Sequence, residues 1–309
     1  MKHSAEGLKK FAKQLGFDKV GVVKSRQLED EARKLEHWLH QNYHGEMSYL
    51  ERYFDFRIDP NKLIPGTKSI LVFSLNYFQK VEEISDDRPK ISMYAIGKDY
   101  HKVIRTKTKA LIRWMKSEFG DIQARAFVDS GPVLERVWAH EAGIAWTGKN
   151  TLSIHPKSGS YFFLACILTD LEFEYDQPIK DYCGTCRKCI DACPTQAFHS
   201  NGYLLDASKC ISYLTIELKN AIPDTFHGKM ENWIFGCDIC QQVCPWNRFS
   251  TNTNEEEFVN SKNPGTITSL EWLEMNESEF QYRFNNSALK RTGLKGIQRN
   301  IRFIEKRKS

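Results

Sequence analysis

No apolar stretch in these 309 residues approaches the ~20 needed to cross a bilayer; the longest, residues 161–168, is strand-sized. A membrane-spanning helix is therefore not expected. The glycine fingerprint G-x-G-x-x-G is missing, so a nicotinamide or flavin held on a Rossmann loop finds no support. The radical-forming triad C-x3-C-x2-C is missing as well. The chain opens Met1-Lys2-His3-Ser4 with neither an apolar signal region nor paired arginines, which points to the reducing cytoplasm, where disulfides are rare. What remains is ample for folding. A hydrophobic fraction of 41% can build real cores, and the length suits one large or two modest domains.

Cysteine is where the composition concentrates, with eight of nine residues in two matching arrays between positions 183 and 244. The first reads Cys183-x2-Cys186-x2-Cys189-x3-Cys193-Pro194. The second closes alike, Cys237-x2-Cys240-x3-Cys244-Pro245, but its opening member lies upstream at Cys210. Three thiolates two residues apart can wrap one face of an iron–sulfur cube, and in two-cluster ferredoxins the cysteine before proline ligates the other cluster. The expected sets are Cys183, Cys186, Cys189 and Cys244 on one [4Fe-4S] cluster, and Cys193, Cys210, Cys237 and Cys240 on the second. Two zinc knuckles are the alternative, since paired C-x2-C units also suit zinc. Cys166 sits in an apolar run and is expected as a buried core thiol.

Along the chain, Leu8, Phe11, Ala12 and Leu15 predict a helix closed by Gly16, and residues 19–23 a short strand. A second amphipathic helix carries Leu28, Ala32, Leu35, Trp38 and Leu39. Residues 69–78 and 160–170 read as buried strands, and residues 80–90 as a polar surface loop. Asp99-Tyr100-His101 opens a long helix ending at Gly120. A strand over 124–128 runs into Asp129-Ser130-Gly131-Pro132, with Pro132 expected in the first turn of a helix carrying Glu135, Arg136 and Trp138. Asp129 either caps that helix or projects a carboxylate above the strand ends. Residues 146–150 form a polar loop, residues 251–254 a polar break, and two helical elements follow. The expected fold class is α+β with an α/β-like N-terminal domain over 1–178, a bacterial two-cluster ferredoxin-like domain over 179–250, and a short helical, basic segment over 251–309.

Net charge is +5 but uneven: residues 255–279 are acidic, whereas residues 290–308 carry eight Lys/Arg against Glu305 alone. That asymmetry suits a polyanionic partner. Eight cysteines saturate the eight iron positions, so the preceding domain either hosts a further redox centre or only docks a partner. The half-motif Asp99-Tyr100-His101 has Ile104 where a cobalamin-binding D-x-H-x-x-G would have glycine, so His101 is read as a helix-start residue.

Arg57-Ile58-Asp59-Pro60 with Leu63-x-Pro65-Gly66, Asp99-Tyr100-His101, Asp129-Ser130-Gly131-Pro132 with Glu135-Arg136, Gly148-Lys149-Asn150-Thr151, the double array, and Cys210-Ile211-Ser212-Tyr213 together resemble the epoxyqueuosine reductases. The resemblance spans essentially the whole chain, to the basic segment from Arg291 to Arg299-Asn300. It implies base-off cobalamin in the N-terminal domain, charged by two [4Fe-4S] clusters and an external low-potential electron donor. It also implies a tRNA substrate whose wobble epoxyqueuosine is reduced to queuosine, the oxygen leaving as water. Asp129 falls at the family's proton-donor position, and burial against the corrin is expected to raise its pKa toward neutrality. Asp129, Arg57, Tyr100, Lys149, Ser212 and Asp238 fall at expected corrinoid contacts. Lys219, Lys290, Arg291, Lys295 and Arg299 are the expected tRNA contacts. The family's C-terminal helical repeats have no counterpart up to Ser309, so the expected grip on tRNA relies less on them. A cytoplasmic monomer is expected. A reductive dehalogenase-like enzyme, or a two-cluster electron carrier without its own chemistry, are the competing readings.

Overall fold

The computed structural model describes residues 2–80, 88–259 and 263–306. Residues 81–87 of the expected surface loop, 260–262 of the acidic stretch and 307–309 of the basic tail lie outside them. Eight strands are described: β1 (Lys19–Lys24), β2 (Ser69–Asn76), β3 (Lys90–Ile91), β4 (Ala124–Phe127), β5 (Trp146–Thr147), β6 (Ser153–Ile154), β7 (Phe162–Thr169) and β8 (Trp233–Phe235). The central sheet has the order β1-β2-β7-β4, and each of its pairings is antiparallel. The N-terminal part is thus α+β.

Side chains alternate across a strand, and here both faces are covered. Leu71, Phe73 and Leu75 of β2 join Ala165 and Ile167 of β7 beneath the helices Glu6–Gln14 and Tyr100–Phe119. Ile70, Val72, Cys166 and Leu168 face the other way, against Trp138 and Ala139 of the helix Glu135–Glu141. Burial on both faces is why β2 and β7 read as unbroken apolar runs. Phe73 is fully buried, so Phe73→Ala would cost about 3–5 kcal/mol. Cys166 is a core thiol, as expected.

A third core lies beyond the sheet. β3 pairs in parallel with β8, and Ile91, Ala95, Ile234 and Phe235 pack against Trp272, Phe280, Phe284, Ile297 and Ile301. Those aromatics come from the helices Ser269–Glu274 and Glu277–Phe284, the first opened by a reciprocal Thr268–Glu271 capping box. The final helix, Gly293–Glu305, presents buried Asn300, whose amide donates to Thr215 O (2.9 Å) and Ile234 O (2.8 Å). Residues 251–254, expected as a loose break, are instead strapped to the end of β2. Thr253 N donates to Phe78 O (2.8 Å) and Asn76 Nδ2 to Thr251 O (2.8 Å). Phe258 then enters the core under β7. Among the described residues no helix is long and apolar enough to cross a membrane.

Candidate active site and cluster-ligand region

All nine cysteines are free thiols, and eight gather into two sets. Burial raises the Cys189 thiol to about 11, and Cys183, Cys244 and Cys186 push it further in the same direction. Cys244 in turn feels Cys183 and Cys186. On the other side Cys237 is raised by burial and then by Cys210 and Cys193, and Cys240 by burial and then by Cys237 and Cys210. These couplings place Cys244 near Cys183 and Cys186, and Cys193 near Cys210 and Cys237, as the crossed expectation requires of the folded chain. Thiols that hold their protons this firmly must lose them to bind iron, so loading is coupled to proton release.

The two arrays are held by one loop of the preceding domain. Lys149 donates its amine to Gly184 O (2.6 Å) and Cys186 O (3.0 Å), while Asn150 Nδ2 reaches Cys240 O (3.3 Å). Lys149, expected at the corrinoid, is committed here to the first cysteine loop. Gly202, at φ 73°, leaves the room for it: a Cβ there would stand 2.6 Å from Lys149 Cβ. Trp146 Nε1 points at Cys183 Sγ (3.5 Å) and packs edge-on against Tyr182 and Trp246. Ser212 lies at Cys210, whose thiol burial raises while the Ser212 backbone and hydroxyl act in the opposite direction.

Asp129 occupies the tip of β4 with φ 51°, a left-handed conformation costly for a residue with a Cβ. It does not cap the next helix, which starts only at Glu135 behind an uncapped Leu134, and Pro132 lies in the turn before it. Instead its backbone N–H donates to Glu135 Oε1 (2.8 Å), and its carboxylate turns toward the start of the helix Tyr100–Phe119. Gly131 permits that turn, since a Cβ there would meet the Phe127 ring at 2.6 Å. Tyr100 donates its hydroxyl to Asp129 Oδ2 (2.6 Å), and His101 Nε2 lies 3.4 Å from the same oxygen. Tyr100 is fixed by stacking on Phe163, with ring centres 4.1 Å apart. The Asp129 side chain is 62% open to solvent although protein surrounds it at longer range, so it lines the wall of a recess.

Burial would raise the Asp129 carboxyl, but hydrogen bonds from His101 and Tyr100 and the charges of His101 and Arg136 outweigh it. The result lies below the ordinary carboxylate value, whereas the expected rise toward neutrality was tied to burial against a corrin. Burial beside Asp129 pushes Glu135 well above its usual value. For His101, burial opposes protonation, yet its hydrogen bonds to Asp129 and Asp99 win and raise it to about 9. The helix-start reading of His101 thus covered only part of its role. His101 does sit in the first turn capped by Asp99, but its ring also meets Asp129.

A cavity of about 820 Å³ opens beside the second array, lined by Phe78, Met93, Tyr161, Trp233, Asp238 and Cys244 among others. Asp238 is buried, accepting from Met93 N (2.7 Å) and Ser92 Oγ, and burial raises it to about 6. Asp129 is not part of this lining. Tyr94 stands between, its hydroxyl raised by burial and then by both Asp129 and Asp238. Arg57 is buried with Nε unpartnered, burial lowering its pKa while Tyr49 and Asp129 counter. A buried guanidinium with an unused donor is costly unless something else accepts from it.

The basic residues divide. Lys290 and Lys295 are exposed. Arg291 is locked to Glu217 through Nε (3.0 Å) and Nη2 (2.7 Å), and lies over the Tyr49 ring. Lys219 bonds Ile216 O and Arg291 O. Arg299, expected on phosphate, spends its guanidinium on the carbonyls of Leu214, Leu218 and Asn220, so it clamps the end of the helix Ile211–Ile216 rather than facing outward.

Comparison with known proteins follows the same lines. Residues 182–247 match a family described as "4Fe-4S double cluster binding domain", and residues 57–130 one described as "Epoxyqueuosine reductase QueG, DUF1730". An epoxyqueuosine reductase of Cyclobacterium marinum is 52% identical over 96% of both chains, and one of Leadbetterella byssophila 50% identical over 99% of both. A crystal structure of epoxyqueuosine reductase with an epoxyqueuosine-modified tRNA-Tyr stem loop superposes with a TM-score of 0.91 at 33% identity, covering 98% of this chain and 80% of that one. With identity of this order along nearly its whole length, the chain belongs to the epoxyqueuosine reductase family.

Proposed function

We propose that this protein reduces epoxyqueuosine to queuosine in tRNA, in three regions bounded near residues 178 and 250. The observation that carries the reading is Asp129, held in a strained turn by Tyr100 and His101 on one side of Tyr94, with the cavity beside the cysteine sets on the other. Opening an epoxide to an alkene takes two electrons and two protons. Two [4Fe-4S] clusters on the eight thiols deliver electrons singly, from a low-potential carrier.

Two features support base-off cobalamin: the unused buried donor of Arg57 and, separate from it, the Asp238-lined cavity at the upper end of small-molecule sites. Arg57, Tyr100 and Asp238 are the residues that would hold it; Lys149 and Ser212 support the ligand loops. When bound, cobalamin supplies a strongly reducing, nucleophilic cobalt for chemistry at carbon. The chain's own contribution is acid catalysis: Asp129 points its open oxygen into the recess, toward the oxygen that must depart. An anticodon-loop nucleoside is already partly unpaired, so extruding it into a recess costs less than flipping it from a duplex. Lys290, Lys295 and Lys219 are the candidate phosphate contacts, with Arg291 at the mouth beside Tyr49.

Anaerobic purification tests the reading. A corrinoid absorbance band together with about eight irons per chain supports it; iron without corrinoid returns the chain to an electron carrier, and zinc in place of iron removes the reading.

A further inference from the structure

Asp129 presents a chemical difficulty as an acid. Two donors converge on its Oδ2, the Tyr100 hydroxyl at 2.6 Å and the His101 ring at 3.4 Å, and both stabilise the carboxylate rather than the acid. An ionised carboxylate has no proton to give. The proton must therefore stand nearby and move when the substrate oxygen begins to leave.

The neighbouring geometry supplies the place. Asp99 Oδ1 accepts from His101 N (3.0 Å) and lies 2.8 Å from His101 Nδ1, so one carboxylate fixes both the helix start and the ring. With Nδ1–H directed at Asp99, Nε2 is the exchangeable nitrogen, and it faces Asp129. The Tyr100 ring stacks on the imidazole with centres 4.1 Å apart, which fixes its plane. The 3.4 Å gap is long for a hydrogen bond, as acid–base pairs commonly are before substrate closes over them. A carboxylate orients the ring, the ring bears the proton, and a second carboxylate meets the substrate: this is the general logic of a base positioned by a third group.

We propose that Asp99, His101 and Asp129 form a proton relay, in which the His101 ring stores the proton that Asp129 hands to the oxygen leaving the epoxide. The proposal rests on the epoxide-reducing function above. As the first C–O bond breaks, the oxygen keeps the bonding pair and takes a proton from Asp129, while the Nε2 proton of His101 passes to Asp129 Oδ2. A proton from solvent reloads the ring, and the second C–O bond breaks with transfer of that proton, so that water leaves and the carbons form a double bond. The two electrons come from the low-potential one-electron carrier, by way of the clusters. Asp99 is a positioning residue, since it acts through the ring.

The charges facing His101 are Asp99 from its own helix and Asp129 with Glu135 from beyond β4. Arg136 answers Asp129 and Glu135 from the same segment. Lys102 and Arg105, on the His101 helix, are spent on Asn286 Oδ1 and Ser130 Oγ. The acidic groups thus win around the ring, and His101 holds its proton to about pH 9.

The test compares wild type, His101→Gln and Asp99→Asn as holoenzymes on tRNA carrying epoxyqueuosine, from pH 5 to 9.5. Wild-type kcat should hold until the ring deprotonates near pH 9. His101→Gln should keep KM for tRNA within about twofold, lose roughly 10²-fold in kcat at pH 8, and recover to within about tenfold at pH 5, where solvent protonates Asp129 directly. Asp99→Asn should shift the upper break toward acid. A His101→Gln profile equal to wild type, or lowered equally at every pH, overturns the relay. Histidine ring NMR of the resting holoenzyme gives a reading free of turnover. The resonance lost in His101→Gln should titrate near pH 9 in wild type and move toward ordinary imidazole in Asp129→Asn; titration at an ordinary imidazole pKa in wild type also overturns it. If wild type fails to convert the substrate, the proposed function fails, and the NMR titration still decides where the proton stands.

Discussion

The cysteine region and the Asp129 recess solve opposite problems. Seven of the eight clustered thiols lie in two runs of eleven and eight residues, so their assembly is mostly local, with Cys210 and the expected crossing of Cys193 and Cys244 supplying the long-range part. The recess is the reverse: Asp129 meets His101 from another element, and the Tyr49 ring meets Arg291 from near the far end of the chain, with the charge of Arg57 acting on both Tyr49 and Asp129. A local ligand set tolerates a shifted neighbour, because its own loop restores the geometry. A site assembled over distance depends on every element that delivers a member.

Replacing a thiol should produce the largest effect and separate the two regions. Cys210→Ser removes one ligand from the deeper set, so iron should fall from about eight to about four per chain and turnover should vanish, while Asp129 and its partners stay in place. Iron quantification and cluster spectroscopy check this; retention of both clusters would break the grouping. Next, Asp129→Asn should leave iron unchanged and lower kcat by about 10²–10⁴-fold. Wild-type turnover in that variant would detach the recess from the chemistry.

A smaller effect tests the distance-built side. Asn300→Ala leaves Ile234 O without the amide donor and Thr215 O with only the Thr292 hydroxyl (3.0 Å) in a buried setting, for a cost of about 1–3 kcal/mol. Thermal unfolding of the holoprotein should show a lower midpoint with iron content intact before unfolding. The smallest effect belongs to the exposed charges. Neutralising Lys290 and Lys295 together should weaken tRNA binding and reduce the slope of log affinity against log salt by about 1.5–2. An unchanged slope would return both lysines to an ordinary solvated helix face.

The same contrast explains what could be read from the chain. Both cysteine sets and the apolar strands β2 and β7 were legible, because ligand spacing and side-chain period are local properties. The Asp129 turn was legible as unusual, but its protonation was not. Sequence shows a carboxylate after a strand, whereas its pKa is set by Tyr100 and His101, 29 and 28 positions upstream. His101 was read as a helix-start residue because its contact with Asp129 is tertiary; the only signal was its spacing from Asp99 in a motif that lacked its glycine. Arg299 was counted with the phosphate contacts because composition records charge, not which carbonyls a guanidinium already serves. Lys149 shows the same limit, since sequence could not tell that its amine also serves the cysteine loop it supports. Residues 251–254 looked like a linker on polarity alone, yet their polar groups complete the bonding at the end of β2.

The central claim is that electrons gathered on the thiol-bound clusters and a proton delivered by Asp129 act on one epoxide. The most direct test is a single-turnover reaction of anaerobically reduced holoenzyme with tRNA bearing epoxyqueuosine, followed by mass spectrometry of the released nucleoside. The account predicts a product lighter by one oxygen with wild type, and unchanged starting nucleoside with Asp129→Asn carrying the same iron. An unchanged nucleoside with fully loaded, reduced wild-type enzyme, or equal conversion by the two proteins, would contradict it.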